Sequence, residues 1–128
     1  MRILIVDADP SWRDLLTRIV SSSAPTEIEV VSATNGKDAL DILPTVQAVV
    51  CDHLIPGPSG DEIRRRACAR GLPAVLISSV TPLSIAGRQA YVPKDADLIR
   101  SAVDQMFSGF RPWGKIKAAA RRKMALVG

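Results

Sequence analysis

The stretch AVVCDHLIPGPSG, Ala48–Gly60, leaves this chain few ways to fold. It opens as an unbroken apolar run, Val49, Val50 and Cys51, and stops on a carboxylate, Asp52. A run with no polar face reads as a strand covered on both sides, the condition of a parallel sheet. Pro56, Gly57, Pro58 and Gly60 then force a loop before the next helical pattern. Asp52 is too far from that helix to cap it. Its carboxylate is left at the carboxyl end of a buried strand, where open α/β sheets place their ligands.

The same grammar repeats along the chain. Ile3–Val6 is a second apolar run, followed by Asp7 and Asp9, and Pro73–Ser79 is a third, ending in two hydroxyls. Ile28, Val30 and Val31 read as another strand. Ala90–Lys94 is a last one, and Pro93, which cannot donate to a ladder, puts it at the sheet edge. Between these runs the period changes to that of a helix. Trp12, Leu15, Leu16, Ile19 and Val20 recur at helical spacing until Ser21–Pro25 breaks the pattern. Asn35 caps a short helix carrying Ala39, Leu40 and Leu43, which Pro44 ends. Asp61–Arg70 has acids in its first turn and arginines toward its end, as the helix dipole prefers, and Gly71 closes it. Ala96–Phe107, capped by Asp95, turns Leu98, Ile99, Ala102, Val103 and Met106 inward. Strands alternating with helices specify an α/β, doubly wound, right-handed parallel sheet.

A chain of 128 residues is one domain's worth of core. No apolar run approaches a membrane span, and acids interrupt the N-terminal run at once, so neither a transmembrane segment nor a signal peptide is expected. Cys51 and Cys68 lack metal or redox spacing and read as buried, reduced thiols of a cytoplasmic protein. The net charge of +4 is unevenly placed. Residues 1–109 hold 11 Lys/Arg against 13 Asp/Glu, and the other six bases follow Gly109 with no acid among them. Residues 1–108 therefore form the domain, and 109–128 a basic extension. There Pro112 and Gly114 make a hinge, and Lys115–Val127 reads as a further helix, either a solvated basic extension with Trp113 packed on its own domain or a docking element better suited to a protein than to nucleic acid.

In a parallel sheet the carboxyl ends of the strands share one edge, which collects Asp7, Asp9, Asp52, Ser78 and Lys94. Clustered acids ionise together only beside a hard cation such as Mg²⁺. A lysine and a hydroxyl suit phosphoryl oxygens, and a carboxylate can be the nucleophile in phosphoryl transfer.

With ILIVDADP, DHLIPGPSG (a D-x-x-x-P-x-x-x-G pattern), LPAVLIS and YVPKDAD in place, residues 1–108 resemble the receiver domain of two-component response regulators, the CheY-like family. The resemblance implies a flavodoxin-like five-stranded sheet of order 2-1-3-4-5. It implies a single-domain response regulator, not an enzyme beyond self-catalysed phosphoryl acceptance and hydrolysis, in which Asp52 takes phosphate from a histidine kinase or phosphotransfer protein. Mg²⁺ would be held by Asp7, Asp52 and the backbone carbonyl of Leu54, with Asp9 a further candidate. Lys94 and Ser78 would grip the phosphoryl oxygens. Ser78 and Tyr91 would form the switch that informs a downstream protein.

The chain departs from the family in three places. Where the family carries two adjacent acids, it has Asp7 and Ala8, which makes Mg²⁺ binding weak. Ser78 and Lys94 stand 16 residues apart, about six fewer than usual, so the helix between the fourth and fifth strands is short or absent. Asp95 follows Lys94 where many receivers have proline. The first two departures favour an alternative, a pseudo-receiver that binds a protein partner without phosphorylation. His53 beside Asp52 reads as incidental.

Overall fold

The computed structural model describes residues 1–79 and 91–109. Five parallel strands form one sheet of order β2-β1-β3-β4-β5: β1 (Arg2–Val6), β2 (Glu29–Ala33), β3 (Ala48–Asp52), β4 (Ala74–Ser78) and β5 (Tyr91–Pro93). Four helices are described, α1 (Pro10–Ser23), α2 (Gly36–Ile42), α3 (Gly60–Ala69) and α4 (Ala96–Gly109), with a 3₁₀ turn at Leu43–Thr45 around Pro44. The segment between β4 and β5, where a shortened helix is expected, lies outside the described residues, as does the basic extension beyond Gly109.

Alternation along the strands sorts the core into two halves. Ile3, Ile5, Val50 and Ile77 point to one face, where Leu16, Ile19 and Val20 of α1 and Ile99, Val103 and Phe107 of α4 cover them. Leu4, Val6, Val49 and Cys51 point to the other, under Ala39 of α2 and Ile63 and Ala67 of α3. All five residues of β3 are buried, as its apolar run requires. Pro93 sits in the edge strand, where a missing ladder donor is tolerated.

The caps are those the sequence offers. Asn35 accepts the Asp38 N–H, Ser59 the Glu62 N–H, and Asp95 the Leu98 N–H. Helix α1 runs to Ser23, beyond the break expected at Ser21, because Leu16, Ile19 and Val20 anchor it and its serines need no burial.

Two expectations are corrected. Leu98 does not face inward: it is 49% exposed. The buried stripe of α4 is Ile99, Val103, Met106 and Phe107, and Leu98 lies about 100° around the helix from Ile99. Cys68 is exposed, for the same reason: Ile63 and Ala67 take the sheet-facing positions of α3, and the next residue is rotated away.

Candidate functional site

The pairing registers bring the polar strand ends together. Val6 pairs with Cys51, so Asp7 emerges beside Asp52; Asp52 pairs with Ile77, which puts Ser78 next along that edge; Ser78 pairs with Pro93, and Lys94 follows. Asp7, Asp52 and Ser78 are all buried. Lys94 reaches back past β4, and its Nζ stands 3.1 Å from Asp7 Oδ2 and 3.2 Å from Asp52 Oδ2. The contact with Asp52 is a hydrogen bond, whereas that with Asp7 is an ion pair without hydrogen-bond alignment. Asp52 Oδ1 is buried and accepts no hydrogen bond.

Asp7 is fixed on every side but that one. Its Oδ1 accepts the Asp9 N–H, its own N–H donates to the Ala33 carbonyl, and its carbonyl accepts from Arg13 of α1 at 2.8 Å. The Asp9 carboxylate accepts the Ser11 N–H at 2.8 Å through Oδ1 and caps α1. Ala8, beside Asp7, is exposed. Leu54 is exposed in the loop after Asp52, and Tyr91 lies in β5 in register with Leu76.

The loop that carries Asp52 is closed by glycine. A methyl group on Gly60 would run into the Asp52 carbonyl oxygen and stand 2.7 Å from His53 Cα. The Gly60 N–H donates to the His53 carbonyl, and that of Gly36, at the start of α2, to the Pro56 carbonyl. Loop and helix starts are thus tied to the end of β3.

Trp12, which the sequence offers only as one residue of an apolar stripe, belongs to this site. The Lys94 Nζ lies 4.8 Å from the centre of its ring. A large aromatic in the first turn of a helix that follows a strand-end acid stands near the carboxyl edge, and that position is the signal that could have marked it.

The electrostatics follow from this packing. Burial works against the Lys94 charge, but its close contacts with Asp7 and Asp52 and their negative charges outweigh it and hold the ammonium above its usual value of 10.5. The stabilisation it gives is complete below that value and is lost as pH rises through the raised one. Alkaline titration followed by circular dichroism should therefore show the wild type losing stability above about pH 10.5, and Lys94→Met lacking that component. Burial, with the charges of Asp52 and Asp7 behind it, pushes the Cys51 thiol up, so it stays protonated and donates to the Asp52 carbonyl at 3.2 Å.

Two buried carboxylates, each with an oxygen that accepts no hydrogen bond, suit a hard cation that keeps several waters. Among the described residues, no three His, Cys, Asp or Glu side chains converge to hold one more tightly. No described helix is long and apolar enough to cross a membrane.

No family model matches the chain. It is similar to the positive alginate biosynthesis regulatory protein of Pseudomonas aeruginosa, 33% identical over 79 residues, which are 60% of this chain and 32% of that protein. The chain spans about a third of the length of the curated relatives it matches. Among solved structures it resembles a two-component transcriptional regulator AraC from Clostridium phytofermentans, with a TM-score of 0.71 and 21% identity over 92% of this chain and 98% of that one. It also resembles a CheY-like response regulator receiver domain protein from Methanospirillum hungatei, with a TM-score of 0.62 and 22% identity over 82% of this chain and 94% of the other. These likenesses establish the fold that the motifs imply: the flavodoxin-like sheet of receiver domains.

Proposed function

We propose that this receiver-fold chain is a phosphorylation-dependent signalling switch whose acceptor is Asp52. The observation that carries the reading is the buried Asp52 carboxylate at the end of the central strand, with Oδ1 unbonded and Oδ2 held by Lys94. A carboxylate oxygen attacks the phosphorus of a phosphohistidine; the P–N bond breaks, the imidazole leaves and takes up a proton, and an aspartyl phosphate remains. Lys94 would supply positive charge where the phosphoryl oxygens gather, and Ser78, at the end of the neighbouring strand, would donate to them. Asp7, Asp52 and the Leu54 carbonyl would hold Mg²⁺, which supplies further charge against those oxygens. The upstream partner is a histidine kinase or phosphotransfer protein, and the downstream one is a protein that senses the modified edge.

The test is the intact mass of the folded chain after incubation with acetyl phosphate and Mg²⁺. A phosphoryl adduct on Asp52 supports the switch. A folded protein that never labels would turn the reading to a pseudo-receiver, which the prior claim of Lys94 on both carboxylates favours.

Metal binding at this site is expected to be weak for want of a third carboxylate. Ala8→Asp should tighten Mg²⁺ by about tenfold, roughly 1.4 kcal/mol, because another negative charge stands beside a partly dry site. Calorimetric titration measures this, and equal affinities would mean that position 8 does not face the cation.

A further inference from the structure

We propose that Trp12 is a positioning residue that locks the Lys94 ammonium onto the acid pair, so that a divalent cation must first break a cation–π contact to enter. The inference rests on the metal reading of Asp7 and Asp52 above.

Three observations support it. Lys94 has three donors, and the ammonium has three negative neighbours: the two carboxylates and the face of Trp12, 4.8 Å from Nζ to the ring centre. The ring is held firmly, packed against the core face that α1 shares with α4. The first turn of α1 is tied to the strand end by the Asp9 cap and by Arg13, which donates to the Asp7 carbonyl. A fixed aromatic face beside a mostly buried ammonium attracts it more strongly than an exposed one would. With Ala8 in place of a carboxylate, the ring is the additional negative pole at this edge.

The sign of the effect separates this role from a structural one. A residue that merely supported the fold would, when removed, weaken the site and its metal. Trp12 removes affinity by holding the competitor in place, so Trp12→Leu should bind Mg²⁺ about fivefold more tightly. Trp12→Phe keeps an aromatic face and should stay close to wild type. Lys94→Met removes the competitor outright and should tighten binding tenfold or more.

The experiment is Mg²⁺ titration of the full chain by calorimetry for these four proteins, with circular dichroism to establish that each is folded. It is repeated by fluorescence in a Trp113→Phe background, where Trp12 is the only tryptophan. Its emission should change as the cation displaces the ammonium, and should not change when Lys94 is Met. Unchanged or weaker binding by Trp12→Leu overturns the proposal, as does a Trp12→Phe that behaves like Trp12→Leu. If only Lys94→Met binds more tightly, the metal reading stands and the role of Trp12 falls. If none of the four binds Mg²⁺, the metal reading fails and takes the lock with it.

Discussion

Asp52→Asn is expected to abolish phosphoryl labelling of this chain while leaving the fold intact. The amide has the shape of the carboxylate, so the fully buried strand β3 need not shift. What changes is chemistry. An amide oxygen is a poor nucleophile toward phosphorus, and the charge that draws Lys94 from the far side of β4 is halved. The variant loses one ion pair but also loses the repulsion between two neighbouring buried carboxylates, so its stability should lie within about 1 kcal/mol of wild type. Intact mass after acetyl phosphate treatment, with a peptide map of any residual adduct, measures the first effect, and urea unfolding the second. Labelling equal to wild type would move the acceptor away from Asp52.

Gly60→Ala should damage both fold and site. Alanine is the better helix former, a gain of up to about 1 kcal/mol at an unconstrained position. Here the new methyl would overlap the Asp52 carbonyl oxygen, which is backbone at the end of the central strand. Neither partner can yield by a rotamer change, so the loop or β3 must move. Overpacking of this kind costs on the order of 3 kcal/mol, and the melting temperature should fall by roughly 10 °C. The displaced atoms belong to Asp52 and His53, so phosphoryl acceptance should fall even at temperatures where the variant is folded. Gly71→Ala is the control: it has the same chemistry and a φ of +73°, but open space around it. It should lose only about 1 kcal/mol, with labelling untouched. If both variants lose stability and labelling alike, close approach at Gly60 is not what couples them.

Much of this arrangement is legible in the sequence, for a simple reason. In a parallel sheet every strand delivers its last residue to the same edge, so Asp7, Asp52, Ser78 and Lys94 could be grouped from strand ends alone. The edge placement of β5 followed from Pro93, whose nitrogen has no proton to share. What escaped depends on angles that periodicity does not resolve. Leu98 and Cys68 each sit one residue from a buried neighbour, and a 100° step separates core from solvent. That Asp9, a candidate ligand, also caps α1 through Oδ1 is a second use of the residue that its place near a strand end does not reveal. Trp12 and Arg13 meet the site from the first turn of α1, and membership of an apolar stripe does not by itself mark the one that also faces a lysine.

Lys94 joins two parts of the sheet that have unequal means of staying folded. β5 is three residues long, its only described partner is β4, and Pro93 brings no donor to that ladder. β1 and β3, by contrast, lie deep in the core and are buried along almost their whole length. The lysine's grip on Asp7 and Asp52 therefore acts as a guy-rope from the centre to the rim. A cation that took the place of the ammonium on those carboxylates would slacken it, and the free energy needed for the rim to open locally would fall while that of the centre would not. Occupancy of the acid pair in the interior would thereby be felt as fraying at the margin of the sheet.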